Sequence, residues 1–397
     1  MQRLPEPELV QQGSLWHGAI ALAGVFLFFT NLDSYVFAVN PSVPPPIIWV
    51  VTFMGVALFL AILDSRRAVR LLRSPLSYWA LFYFLLTTTW AIFIRVIPEL
   101  TQQLQDRYRS VAFLLTFGLI FDHPRARRVA MFAVAACVAM AALLNVAETL
   151  TLVTFPDVQG YRTGGRAAGL YFNPNTSGLA IAMGLAVVTE RIPKICRVPL
   201  LLVSAFGVAA TFSRGAMIAL ALVFLWLVWR KALGTGYVVV AAVGGVCLCL
   251  YAIGYLESHD LLNSNTAARL RLAADDSGRL ELALKAWGLF LSAPLLGHGL
   301  GSTIVWEGGV RAHNMYVTLA ADHGVLGLLT YPAFCLALVK VNRGAICLAV
   351  LLLIAGVFSH AVLEDRYSLL LVALAASQAL EAPQAEDLTL REAVANV

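Results

Sequence analysis

Two residue types stand where they bear on chemistry: arginines in short glycine-containing turns and a histidine at the start of an apolar segment. Arg214 lies in Thr211-Phe212-Ser213-Arg214-Gly215, a short turn between two apolar runs, which puts its guanidinium at a membrane boundary. Arg162 and Arg166 lie in Gly160-Tyr161-Arg162-Thr163-Gly164-Gly165-Arg166, where glycines let backbone N–H groups approach an anion. Asn173-Pro174-Asn175 follows; an asparagine cap with proline in the first turn predicts a helix N-terminus aimed at the same region. A planar guanidinium holds phosphate through two parallel hydrogen bonds, so these arginines beside a helix N-terminus predict a diphosphate cradle. His313, in Arg311-Ala312-His313-Asn314-Met315-Tyr316, is placed near that cradle, and a neutral imidazole takes a proton from a hydroxyl near pH 7. His298, in Gly297-His298-Gly299-Leu300-Gly301, is the rival base; its glycine string follows no strand and is a weak signal. Plainer readings stand beside these. Arginine predominates among the basic residues throughout the chain, and a lone histidine is more often structural than catalytic.

The elements that must carry these residues follow from composition. Of 397 residues, 60% are hydrophobic and 13% charged, against roughly 45–50% and 25% in soluble domains. Too little polar surface remains to cover so apolar a chain, which excludes a water-soluble enzyme. Apolar runs bounded by charges, proline or glycine fall at 15–32, 46–63, 76–94, 108–121, 129–150, 176–189, 198–212, 215–229, 236–256, 324–339, 344–359 and 367–380. At roughly 20 residues per span, the chain is predicted to be an all-α polytopic membrane protein of about twelve transmembrane helices. The predicted organisation is a nine-helix transmembrane region over 1–256 including an outer loop at 151–175, a long helical outer loop over 257–323, three further transmembrane helices over 324–381 and a solvated tail over 382–397.

Basic residues in alternate connections orient the chain. The larger share, including Arg66, Arg67, Arg70, Arg73, Arg125, Arg127 and Arg128, falls on the side that also holds both termini. The positive-inside bias makes that side cytoplasmic. On the opposite side Arg95, Arg107, Arg109, Arg162, Arg166, Arg214, Arg269, Arg271, Arg279, Arg311 and Arg366 are joined by a single lysine, Lys285. The outer connections 151–175 and 257–323 are too long to be turns, and Arg279 through Phe290 has the pattern of an amphipathic helix. The first residues, with Glu6 and Glu8 beside Arg3, do not read as a cleavable signal peptide.

Some chemistries lack their signatures. The sequence holds no Asp-x-Asp, Walker, Gly-x-Ser-x-Gly or His-Glu-x-x-His pattern. Asp275-Asp276 precedes a Ser-Gly turn, as helix-capping acids do, and the six cysteines show no Cys-x-x-Cys spacing. Transfer without metal or cofactor is therefore expected. Nucleic acid is not an expected partner.

Several motifs occur in a characteristic order: Gly165-Arg166-Ala167-Ala168-Gly169-Leu170-Tyr171-Phe172-Asn173-Pro174-Asn175, then Ser213-Arg214-Gly215, then Arg279 to Gly301 with Trp287, Pro294, Gly297 and Gly299, then His313-Asn314-Met315-Tyr316 with Gly324 and Gly327. In this the chain resembles the O-antigen ligase family and its polymerase relatives; spans one to five match only in hydropathy. The resemblance implies a GT-C-like integral-membrane glycosyltransferase of the Gram-negative inner membrane. It would transfer a glycan from undecaprenyl diphosphate to a hydroxyl of lipid A–core oligosaccharide at the periplasmic face, in lipopolysaccharide biosynthesis. On that expectation Arg166 and Arg214, with Arg162 and Arg311, hold the diphosphate. His313 is the base in an inverting displacement, supported by Asn173, Asn175, Asn314, Tyr316 and Arg279. Three alternatives remain open at this point: an O-antigen polymerase, a protein O-oligosaccharyltransferase with the same donor, and, from another class, a transporter of lipid-linked glycan. The last predicts ionisable residues at the bilayer midplane and repeated halves, whereas the centres of these spans lack charges.

Overall fold

The computed structural model describes residues 7–92, 98–157, 166–234, 278–305 and 312–380, with isolated positions between 236 and 258. Among them are helices, turns and loops and no strand. The helices are α1 (Pro7–Phe29), α2 (Leu32–Val39), α3 (Pro46–Leu63), α4 (Ser65–Leu72), α5 (Pro75–Ile92), α6 (Pro98–Phe121), α7 (Pro124–Thr149), α8 (Pro174–Val188), α9 (Lys194–Ala210), α10 (Arg214–Trp229), α11 (Arg279–Ser292), α12 (Ser302–Val305), α13 (Met315–Val341), α14 (Ile346–Phe358) and α15 (Arg366–Ser377). Every apolar run expected to span the membrane coincides with a helix, apart from 236–256, which lies almost wholly outside the described residues.

Three of these helices, α3, α7 and α13, are long and apolar enough to cross a membrane, and Leu15–Phe29 with Leu32–Val39 makes a fourth candidate span bent by 57°. Asn31, at φ 61, sits in the bend. Four more apolar helices are shorter, 10–17 residues. The surface of α3 exposes Leu58, Phe59, Ile62 and Leu63, a run of apolar side chains that lipid solvates and water does not. The candidate spans mark the protein as a membrane protein, helical among its described residues.

Small residues bring the inner helices together, as they do where lipid supplies no hydrophobic drive between helices. α7 packs against α1, α8 and α9. A Cβ on Gly207 of α9 would lie 2.3 Å from Cα of Ala142 in α7, so these two backbones touch. Asn145 of α7 ties the same crossing by donating to the Ser177 hydroxyl at 2.9 Å and to the Gly207 carbonyl at 3.1 Å. On the other side of the bundle Phe28, Phe53, Phe113 and Phe117 stack edge and face into a buried cluster joining α1, α3 and α6.

Three features extend the sequence-based expectations. The connection 64–75 contains α4, whose Arg67 pairs with Asp64 at 2.7 Å. α6 begins ten residues before its expected span because its polar first turns bury Gln103 and Arg107 against the bundle. The expected outer loop 257–323 does contain the amphipathic helix, α11, but its last residues are already helical. Asn314 caps α13 by accepting the Val317 N–H at 3.1 Å, and the helix runs to a break at Gly324, φ 63 and ψ −145. Met315, Leu319, Ala320 and Ala321 are buried there, which is why this piece folds onto the bundle.

Candidate active site

His313 immediately precedes the Asn314 cap and is half-buried. Its ring lies 5.3 Å from that of His360, with the planes 56° apart. His360 comes from the connection between α14 and α15, so two imidazoles from distant parts of the chain meet at one end of the bundle. His360 and Glu364 line a small cavity with Arg107 and Gln103 of α6 and Thr318 of α13. Its free volume is about 10 Å³, room for about one water molecule.

The helix carrying His313 is clamped from two sides. Backbone bonds join the glycine string to the break in α13: His298 N–H to Ala321 O at 2.8 Å, Gly299 N–H to Asp322 O at 3.0 Å, and Val325 N–H to Pro294 O at 2.8 Å. The buried Asp322 carboxylate then accepts from the Ser302 N–H and hydroxyl, both at 3.0 Å, and pairs with Arg107 of α6 at 2.5 Å. Arg107 also contacts His323 Nε2. Gly297 is required at its position by conformation and by space. Its φ is 70, and a Cβ there would stand 2.6 Å from the Asp322 carbonyl and the Gly324 nitrogen. Gly297→Ala is expected to destabilise the protein by about 1–3 kcal/mol, read as a lowered unfolding temperature of purified protein in detergent; an unchanged midpoint would show that the clamp yields freely. His298 takes no part in the imidazole pair. Its Nε2 lies 2.7 Å from Ser292 Oγ and 3.0 Å from Leu289 O, at the end of α11.

The arginines divide. Arg166, 8% exposed, donates from Nε to Thr211 O and from its NH2 nitrogen to Asn175 Oδ1, both at 2.9 Å. Asn173 caps α8 as expected, accepting the Asn175 N–H at 2.8 Å. The Arg166 guanidinium therefore ties the start of α8 to the turn between α9 and α10. The segment after it is held equally firmly, Glu148 of α7 accepting the N–H groups of Ala168 at 2.9 Å and Gly169 at 2.8 Å. Arg214 opens α10 and is exposed. The turn before it is tight, with Phe212 at φ 47 and Ser213 capping the helix. At Gly215 a Cβ would lie 3.7 Å from the Phe358 ring at the end of α14, just before His360. Tyr316 donates to Leu353 O at 2.8 Å, fixing α13 to α14 under this end. Arg162, Arg311 and the side chain of Arg279 lie outside the described residues, although α11 does begin at Arg279.

The connection between α14 and α15 adds charge. Arg366 pairs with the buried Asp33 and donates to Ser34. Asp365 beside it accepts from the Tyr367 hydroxyl at 3.4 Å. Burial pushes the Asp365 carboxyl up to about 7, Glu364 acts in the same direction, and Tyr367 and Arg366 oppose. It also interacts with the phenols of Tyr171 and Tyr331. Because the folded-state value lies above the ordinary 3.8, protonation favours the folded form at low pH, and that contribution drains away as pH rises from about 4 to about 7. Asp365→Asn is expected to unfold at a higher temperature than the parent at pH 8, with the difference closing toward pH 4; thermal scans across that range check the sign.

Residues 199–331 match a family model described as O-antigen ligase. Through that stretch the chain is similar to the O-antigen ligase family. No curated protein matches the chain. The family match supports an activity of the O-antigen ligase or polymerase type. The ligase-family stretch contains Arg214, α11 and His313, whereas Arg107, Arg166, His360 and the Glu364-Asp365-Arg366 run come from outside it.

Four groups were given no role from the sequence: His360, which faces His313, Glu364 and Arg107, which line the small cavity with it, and Asp365 next to Glu364. A signal existed for His360, Glu364 and Asp365, since a seven-residue connection holding histidine, two acids and arginine between apolar runs is dense in charge. For Arg107 the signal was only its place among the arginines of that side, because its burial follows from its pairing with Asp322 across the bundle.

Proposed function

We propose that the protein transfers a glycan from undecaprenyl diphosphate to a hydroxyl of lipid A–core oligosaccharide, at the periplasmic face of a Gram-negative inner membrane and without a metal ion. The observation carrying this reading is the family match over 199–331, which contains both Arg214 and His313, and it is supported by contacts that each of their neighbourhoods makes at the end of α14. Gly215 faces Phe358, and His360 just beyond it faces His313.

The chemistry suits these side chains. The bond between the anomeric carbon and the diphosphate oxygen breaks, and its electron pair leaves with the diphosphate. The acceptor oxygen forms the new bond from the opposite face, so configuration inverts, and its proton passes to His313. The leaving group is already a stable anion, so no carboxylic acid need protonate it as in glycosidases. An exposed guanidinium at Arg214 neutralises the charge that grows on the diphosphate, with Arg162 and Arg311 as further donors. Arg166, bound to Thr211 and Asn175, shapes the cradle more than it fills it.

The test is transfer by purified full-length protein in detergent, with chelator present and lipid-linked donor offered together with lipid A–core oligosaccharide, a second lipid-linked glycan and a hydroxyl-bearing peptide. Product on lipid A–core supports the proposal. Product only on the second lipid-linked glycan makes the protein a polymerase, and an intact glycan–lipid bond in every arm makes it no transferase.

A further inference from the structure

A second, larger cavity of about 370 Å³ lies between α3, α6 and the start of α15, outside the ligase-family stretch. Its lining has two characters. Ile47 and Val50 of α3, with Phe113 of α6 and Leu369 of α15, make an apolar wall. α3 is also the least buried of the three long apolar helices, with 17% of its window inside the protein, so this wall stands next to lipid. The rest of the lining is largely polar and carries Asp106, Glu364 and Asp365 with two arginines. Both guanidiniums are already engaged by carboxylates, Arg109 with Asp106 at 3.0 Å and Arg366 with Asp33.

That balance disfavours a diphosphate, which needs guanidinium groups to spare, and favours a ligand that donates hydrogen bonds. Carboxylates accept bonds from hydroxyl groups, and sugars present many of them. An apolar wall beside lipid with carboxylates in the rest of the lining therefore matches a sugar borne on a lipid. Position adds a second argument. Glu364 lines this cavity and also the small one lined by His360, whose ring faces His313, so the two cavities share one side chain.

We propose that this cavity receives the glycolipid acceptor, its acyl chains along α3 and its sugar hydroxyls toward Asp106, Glu364 and Asp365, so that the reacting hydroxyl reaches His313 past Glu364. The inference rests on the transferase reading above for the acceptor's role, and binding is therefore measured separately from transfer. Full-length protein in nanodiscs is titrated with lipid A–core oligosaccharide and, separately, with undecaprenyl diphosphate, for the parent and for Val50→Trp, which fills the apolar wall. Acceptor affinity is expected to fall at least about tenfold, with undecaprenyl diphosphate affinity within about twofold of the parent. Ile47→Trp, at a less buried position on the same wall, gives the same readout should Val50→Trp fail to fold. Unchanged acceptor affinity in a folded variant, or loss of undecaprenyl diphosphate affinity instead, overturns the assignment. A parent protein that binds lipid A–core without transferring to it sinks the enzyme reading while the cavity assignment is still decided by the binding arm; a parent that does not bind it sinks the cavity assignment.

Discussion

Purified His313→Ala protein is expected to transfer glycan about 10²–10⁴-fold more slowly than the parent, the range over which a positioned general base contributes. The substitution removes the imidazole that, among the described residues of 199–331, pairs with another imidazole at this end of the bundle. It leaves the neighbouring structure its supports. Asn314 still caps α13 through the Val317 N–H, Thr318 still bonds the Asn314 carbonyl at 2.8 Å, and Tyr316 still reaches Leu353 O. Membrane insertion, unfolding temperature and donor affinity should therefore stay near the parent values while turnover collapses. Single-turnover measurements with donor preloaded separate the lost step from binding. A variant retaining full turnover would remove His313 from the mechanism, and His360 would become the imidazole to examine.

Replacing Arg107 should have the largest effect on stability. The Arg107–Asp322 pair is buried, with side chains 4% and 0% exposed. Removing one partner of such a pair strands the other charge and costs about 3–5 kcal/mol. Arg107→Leu is accordingly expected to lower the unfolding temperature sharply. Arg107→Leu with Asp322→Asn should recover part of that loss, because no lone carboxylate then stays in the interior. The recovery will be incomplete, since Asp322 also accepts two bonds from Ser302 and so anchors the segment behind the glycine string. Thermal unfolding of the two single variants and the double variant completes the cycle. Equal and additive losses would show the pair to be uncoupled. Transfer activity should follow stability in this series, because Arg107 acts on the site through the helix that carries His313.

How much could be read from residue order alone depends on the range over which each feature is decided. Helical content and membrane embedding follow from composition and from apolar runs that any window along the chain reveals. The helix start at Pro174 was legible because a cap is local, Asn173 bonding the amide two residues on, and the helix at Arg279 was legible from its amphipathic pattern. The break in α13 at Gly324 was legible as the boundary of an apolar run, for glycine alone takes that φ without strain. The N-terminal end of α6 was not, because Gln103 and Arg107 read as polar loop until something across the bundle buries them.

Tertiary structure alone decided the partners. Arg107 and Asp322 stand 215 residues apart and Arg366 and Asp33 stand 333 apart. No periodicity links such positions, because packing of whole helices determines which side chains meet. The same holds for the pairing of His313, singled out by its motif, with His360, which only the packing of α13 and α14 brings about. Arg166 shows the ambiguity from the other side. A guanidinium near glycines and a helix N-terminus serves an anion or a helix junction equally well by type, and here the Thr211 carbonyl and the Asn175 side chain were brought within its reach. Sequence thus determined which groups capable of chemistry exist and roughly which end of the bundle holds them. The folded chain determined which of them are occupied with one another, because hydrogen bonds and ion pairs act over a few ångströms in space whatever the separation along the chain.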